Sequence, residues 1–303
     1  MSWQASLLNR WLRWTEKPFL TKAQSVTVLR RSFEIKARLF FHGPLGLRRR
    51  WRDLAGAPAL CITPRRAGPT LLFFHGGAHV FGSPRTQSAM LAALAKRADA
   101  TAVLPQYPLA PEHPFPAALD HCVATYRALL AEGVDPATVI VGGDSAGGNL
   151  AFAVLADLLA AGDPLPAGVF GLSPLMDLAF TGDSFLGNAA ADVVLPASRI
   201  WDTALGYLKG HPADDPRASP LHADFTGAPP VWLSVGDTEI LQDDTLRLAD
   251  RLRAAGVSVA LQLERDLPHV WPMFHNIVPE ARTTLDQLAA WIKVQTGANA
   301  PTR

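Results

Sequence analysis

A serine between glycines, Gly143-Asp144-Ser145-Ala146-Gly147, ends the apolar run Val139-Ile140-Val141 and opens an alanine-rich helical segment. The spacing fits G-x-S-x-G, in which a strained strand-to-helix turn lifts a serine hydroxyl above a sheet as a nucleophile. Glycine suits such a turn because it takes positive φ and close approach of neighbouring chain without a clash. Taken alone, the pentapeptide reads equally well as a Gly-rich turn with a capping serine. Nucleophilic chemistry also demands a base, a group that orients the base, and N–H donors for a developing oxyanion.

Each of these has a candidate after a predicted strand. Phe73-Phe74-His75-Gly76-Gly77-Ala78-His79 follows one such strand, so the amides of Gly76 and Gly77 can face an oxyanion together with the amide of Ala146. Of the nine histidines, His269 is the best base: it follows Asp266-Leu267-Pro268 in a loop between the last strand and the last helix. His75 and His79 suit the turn itself, and His113 and His211 lie in Pro-rich loops. Asp237, Glu239, Asp243 and Asp244 follow another strand. Nearness to the strand end favours Asp237 as the orienting acid, and its bland role is a capping carboxylate; Asp243 and Asp244 suit the first turn of the next helix.

The elements that must carry these residues follow from periodicity. Strands are predicted at 47–54, 59–63, 70–75, 100–107, 138–143, 169–173, 231–236 and 257–264, with helices at 84–98, 115–132, 146–161, 241–255 and 279–294. This β–α alternation implies an α/β fold, a mostly parallel sheet with helices on both faces. Residues 177–230, rich in Gly, Pro and Asp, interrupt the order with one helix near 199–208 and read as a lid over a site.

With 303 residues, 49% of them hydrophobic, the chain can bury a large core, and a folded rather than disordered chain is expected. No apolar run is long enough to span a membrane, and no secretory leader is apparent, so a cytoplasmic protein is expected. Cys61 and Cys122 have no ligand-like company and read as free thiols. Residues 1–60 hold twelve Lys and Arg against three Asp and Glu. Within that basic block Trp3, Leu7, Leu8, Trp11 and Trp14 recur at helical spacing, and a second helix covers 26–41. Such a helix can lie on a membrane. Packing of residues 1–20 on the protein's own domain is the favoured reading over membrane contact, and nucleic acid is not an expected partner.

Taken together, His75-Gly76-Gly77-Ala78, Tyr107-Pro108-Leu109-Ala110-Pro111-Glu112-His113-Pro114-Phe115-Pro116-Ala117, Gly143-Asp144-Ser145-Ala146-Gly147-Gly148-Asn149, Asp215-Pro216-Arg217-Ala218-Ser219-Pro220-Leu221 and Pro268-His269-Val270-Trp271 resemble the hormone-sensitive-lipase family of α/β-hydrolases, in its bacterial carboxylesterase branch. The resemblance covers about residues 70 to 275. It implies a single α/β-hydrolase domain over 1–303, with a helical cap from about 1–45 and 177–230 and a catalytic core from about 46–176 and 231–303. It also implies a triad. The family's Asp-x-Leu-x-Asp register puts the acid at Glu239, 30 residues before His269, a departure from Asp that the loop must absorb.

Two further departures concern the oxyanion loop and the elbow. The third glycine of the usual loop is Ala78, a further donor if the backbone there need not take positive φ, and Asp144 reads as a structural carboxylate beside the serine. Phe81, Phe185 and Trp271 are candidates to line a pocket or to be core. The implied function is a serine carboxylesterase acting on short- to medium-chain esters through an acyl-enzyme on Ser145. A lactone hydrolase with the same triad and a non-catalytic ligand-binding relative are the alternatives. No cofactor or metal is called for, the partner is a small-molecule ester, and a homodimer is a further expectation from the resemblance.

Overall fold

Strands whose side chains alternate between two buried faces organise the chain, and helices cover both. The protein is described by a computed structural model at residues 1–22, 25–65 and 68–298. Its strands are β1 (Arg48–Leu54), β2 (Ala57–Thr63), β3 (Thr70–Phe74), β4 (Thr101–Pro105), β5 (Val139–Asp144), β6 (Gly168–Leu172), β7 (Val231–Gly236) and β8 (Val259–Glu264). They form one sheet in the order β1-β2-β4-β3-β5-β6-β7-β8. The β1–β2 and β2–β4 pairs are antiparallel and the others parallel.

The helices are α1 (Trp3–Trp14), α2 (Glu16–Lys22), α3 (Val26–Phe40), α4 (Pro84–Ala98), α5 (Ala117–Ala131), α6 (Ala146–Ala161), α7 (Ser184–Gly187), α8 (Ala197–Leu208), α9 (Gln242–Ala254) and α10 (Pro279–Gln295). Leu72, Phe74, Val139, Val141 and Leu233 point to the face covered by α5, α6 and α9. Their neighbours Leu71, Phe73, Ile140 and Trp232 point to the face covered by α4 and α10. This period of two is why the buried strands are apolar throughout. The central β5 lies between β3 and β6, so its C-terminal end, where Ser145 follows, is fixed from both sides.

The long elements lie close to where periodicity puts them. Short α2 and α7 are the exceptions: α2 buries no residue and α7 is a single turn, so neither leaves an apolar stripe in the sequence. Cys61 and Cys122 are free thiols, and no described helix is long and apolar enough to cross a membrane. The first helix packs on the core through Ala5, Leu8 and Leu12, which meet Leu267, Trp271, Val278 and Ala281. Ser2 caps α1 and hydrogen-bonds Glu280 at the start of α10.

The 177–230 segment is held by polar bonds rather than by strands. Asn149 at the start of α6 donates to the Ala218 carbonyl at 2.8 Å, and the Ser219 hydroxyl accepts from Leu178 N at 2.7 Å. Arg217 forks onto Asp157 and reaches Asp120. The Asp-Pro-Arg-Ala-Ser stretch therefore staples this segment to the helix that follows the nucleophile candidate.

Because Leu12 is buried against Trp271 and its neighbours, Leu12→Ala is expected to lower stability by about 2–4 kcal/mol. Urea unfolding followed by tryptophan fluorescence measures this; a change below about 0.5 kcal/mol would show that α1 is not docked in solution.

Candidate active site

Ser145 sits where β5 turns into α6, at φ 53° and ψ −120°. That conformation is sparsely populated for a residue with a Cβ and costs about 1–3 kcal/mol. The flanking glycines make the turn sterically feasible: a Cβ on Gly143 would run into the Gly147 backbone, and one on Gly147 into the Phe74 carbonyl. The turn is pinned by Ser145 N–H donating to the Leu172 carbonyl at 2.9 Å and by Asn149 N and Leu175 N donating to the Ser145 carbonyl, both at 3.1 Å.

The loop after β8 brings His269 to the same cavity as Ser145. His269 Nδ1 lies 2.6 Å from Glu239 Oε2. The other Glu239 oxygen accepts from Gly236 N at 2.6 Å and from the Ser173 hydroxyl at 2.8 Å. A carboxylate this well supplied with donors is an acceptor, so Nδ1 carries the proton and Nε2 keeps its lone pair. His269 Nε2 is buried and has no hydrogen-bond partner among the described residues. Burial pushes the His269 imidazole down, but the hydrogen bond and charge of Glu239, with Asp192 and Asp144 behind it, overcome this and raise its pKa above the ordinary 6.5.

Asp237 goes elsewhere. Its carboxylate accepts from Asp266 N at 2.8 Å and so ties the end of β7 to the loop that carries His269. Asp243 accepts from Ser184 N at 2.8 Å, and Asp244 from Met176 N at 2.6 Å and Asp177 N at 3.0 Å. Both cap backbone of the 177–230 segment as well as sitting in the first turn of α9. Burial pushes the Asp244 carboxyl up to about 7.

The glycine loop after β3 differs from expectation in two places. Gly76 N–H donates to Asp144 Oδ1 at 2.8 Å, so it is spent and cannot serve as an oxyanion donor. Ala78 does adopt positive φ, 51°, although it carries a Cβ. The amides of Gly77, Ala78 and Ala146 have no acceptor among the described residues, and Gly77 and Ala78 line the cavity beside Ser145. Asp144 also receives Gln87 Nε2 at 3.3 Å, and burial, opposed by these bonds, pushes its carboxyl up to about 6.

His75 stacks on Tyr107, and His79 stacks on Tyr207 with ring centroids 3.9 Å apart. Burial pushes the first down to about 4 and the second to about 3, so both are neutral props of the loop at neutral pH. Tyr107 OH donates to the His75 carbonyl at 2.5 Å, which is where the Tyr-Pro-Leu-Ala-Pro stretch meets the glycine loop.

The cavity holds about 460 Å³ and is overwhelmingly apolar. Phe81 lines it; Phe185 and Trp271 do not. Phe185 instead stacks on Phe180, and Trp271 is fully buried with Nε1 donating to Thr284. Much of the wall comes from Trp3, Leu7, Trp11, Phe33 and Phe40 of the first and third helices. Ser173 and Gln87 carried no motif in the sequence, and the wall showed there only as the helical spacing of Trp3, Leu7 and Trp11. Among the described residues no cluster of His, Cys, Asp and Glu could hold a metal ion.

Comparison with known proteins gives a consistent result. A family model described as the alpha/beta hydrolase fold matches residues 71–273. An acetyl-hydrolase of Streptomyces hygroscopicus is 39% identical over 233 residues, covering 77% of this chain and 78% of the relative. An esterase of Acinetobacter venetianus is 36% identical over 238 residues, covering 78% of each. The crystal structure of an esterase from the bacterial hormone-sensitive lipase family superposes with a TM-score of 0.92 at 36% identity, covering 98% of this chain and 99% of that one.

The Glu239 contact sets a measurable titration. The His269 ring is expected to titrate above 6.5, and in Glu239→Gln, where burial acts without the opposing carboxylate, below it. NMR of labelled histidine reads both values; an unchanged His269 pKa in the variant would show that the pair is not formed in solution.

Proposed function

Because the chain belongs to the α/β-hydrolases of the bacterial hormone-sensitive-lipase family and is a carboxylic ester hydrolase, we propose that it cleaves esters through an acyl-enzyme on Ser145, with His269 as base and Glu239 as the acid that orients it. The observation that carries this reading is the 2.6 Å contact between His269 Nδ1 and Glu239 beside a serine held in a strained turn. Nε2 takes the Ser145 proton as Oγ attacks the ester carbonyl. It then returns that proton to the departing alkoxide, and water repeats the sequence to release the acid. The transfer requires Oγ and Nε2 to close to about 2.6–3.2 Å, a contact that commonly tightens when substrate binds.

The amides of Gly77, Ala78 and Ala146 are assigned to the oxyanion. Their want of an internal acceptor supports this, and such a donor is worth about 2.7–4 kcal/mol in the transition state. Asp144 acts on the reaction by holding Gly76 and hence the loop. Ser173 is a positioning residue: its hydroxyl donates to Glu239 and accepts from Val270 N at 3.2 Å, so it joins the acid to the backbone next to His269.

The three N-terminal helices and the 177–230 segment form the cap. An apolar cavity of about 460 Å³ falls within the range that encloses small organic ligands, which supports esters with short to medium acyl chains as substrates.

On p-nitrophenyl esters from acetate to laurate, kcat/KM is expected to rise from acetate toward medium chains, and Ser145→Ala to lose nearly all activity. Glu239→Gln should lower kcat by about 10⁴-fold, while Asp237→Asn keeps most of it. The reverse pattern between those two would move the acid to Asp237.

The base must be neutral to accept a proton, so a raised His269 pKa places the acid limb of kcat/KM above pH 6.5, and activity falls as pH drops through it. Ser173→Ala is expected to lower kcat about tenfold and to move that limb, with KM nearly unchanged. A loss of kcat with the limb unmoved would make Ser173 merely structural.

A further inference from the structure

The helices α1 and α3 each bury one side and leave the other bare. On α1, Ala5, Leu8 and Leu12 face the core. Trp3, Leu7, Trp11 and Trp14 lie on the opposite arc, with Trp3 69% and Trp14 77% exposed, and Arg10 falls between them. On α3 the exposed residues Val28, Arg31, Ile35, Arg38 and Leu39 recur at the spacing of a single helical stripe. An edge-to-face contact between Trp11 and Phe40, with centroids 5.6 Å apart, joins the two helices.

The charges on these helices are sorted. The one carboxylate on α1 and α3, Glu34, accepts from Ser83, and Glu16 of the intervening α2 pairs with Lys36 of α3 at 2.6 Å. Arg30 is likewise used, on Glu112 and the carbonyls of Val80 and Ala110. The bare arcs therefore carry apolar side chains and the cations of Arg10, Arg31 and Arg38, and no carboxylate.

Tryptophan and leucine beside arginine, without acid, is the chemistry of a surface that meets a layer of anionic headgroups: the rings enter the interface and the guanidinium groups stay at the phosphates. The arcs are also continuous with the cavity, since Trp3, Leu7, Trp11 and Phe40 both stand exposed and line it. We propose that the outward face of α1 and α3 docks on an anionic lipid surface and places the mouth of the cavity against it. A second copy of the chain is the competing occupant of so apolar a face. It is disfavoured because a symmetric contact would bring these arginines together with no carboxylate on the same arcs to pair with them.

The test uses the full chain with vesicles of phosphatidylglycerol and of phosphatidylcholine. Co-sedimentation with the first and much less with the second, a blue shift of tryptophan emission on binding, and loss of binding in 0.5 M salt are expected. Trp14→Ala/Leu39→Ala should weaken binding at least tenfold, and Arg31→Gln/Arg38→Gln should remove about fivefold per arginine. None of these four residues lines the cavity, so hydrolysis of dissolved p-nitrophenyl butyrate stays unchanged and certifies that the variants are folded. Absence of binding to phosphatidylglycerol, or equal binding by both folded variants, overturns the proposal. So does a dimer that Trp14→Ala/Leu39→Ala dissociates without any vesicle binding, since the face would then be a contact between copies.

Discussion

One backbone conformation constrains the rest of this molecule: the left-handed turn at Ser145, φ 53° and ψ −120°. Held there, the serine leaves a fully paired central strand and enters α6 within one residue. The cost, about 1–3 kcal/mol, is met by neighbours that cannot give way. Strand β5 is buried along its whole length between β3 and β6, and the Ser145 amide is tied to the Leu172 carbonyl. The residues on either side of the serine follow from the same constraint. Gly143 and Gly147 must lack side chains because strand, helix and glycine loop converge there, and Asp144 is aimed at the end of the neighbouring parallel strand β3, where it takes the Gly76 amide. A motif five residues long thus encodes contacts with three separate elements.

Glu239, proposed as the acid, illustrates how a departure from the pattern that the resemblance implies is absorbed. Its extra methylene lets the carboxylate fold back to Gly236 N, at the end of its own strand, while still reaching His269. Ser173 closes the arrangement from β6. The backbone of this acid loop is clamped in turn by the 177–230 segment: Asn188 donates to the Asp237 and Glu239 carbonyls, and Asp192 accepts from Ile240 N. A longer acid is accommodated because its oxygens and its backbone are both fully subscribed, so the side chain keeps little of the rotameric freedom that a glutamate usually has.

What could be read from the chain beforehand follows from the range of the interactions involved. Strands and helices were legible because burial on one or two faces imposes a period, and β3, β5 and β7 end where the apolar runs end. That Ser145, Glu239 and His269 fall in the connections after β5, β7 and β8 was legible for the same reason. The use of the Gly76 amide was not: adjacent glycine amides look alike in sequence, and which of them is spent depends on Asp144, 68 residues away. Ser173 is one serine among many until its hydroxyl is seen against Glu239, 66 residues on. The spacing of Trp3, Leu7 and Trp11 announced a helix and the resemblance put it in a cap, but that these side chains line the cavity rests on contacts far apart in the chain.

The basic excess of the first sixty residues acquires a division of labour from the structure. Arg13 and Lys17 donate to the carbonyls of Ala189, Ala190, Ala191 and Asp192, and Arg30 to those of Val80 and Ala110, so these cations fasten the N-terminal helices to the segments that border the site. Fastening by side chains onto carbonyls replaces what burial does elsewhere: α2 buries nothing and α3 buries only Ala37. Elements with so little buried apolar contact lie at the low end of local stability. Their place in the wall therefore rests on these polar ties, while α1, anchored by Leu8 and Leu12 on the packing around Trp271, keeps the unit attached to the loop that carries His269.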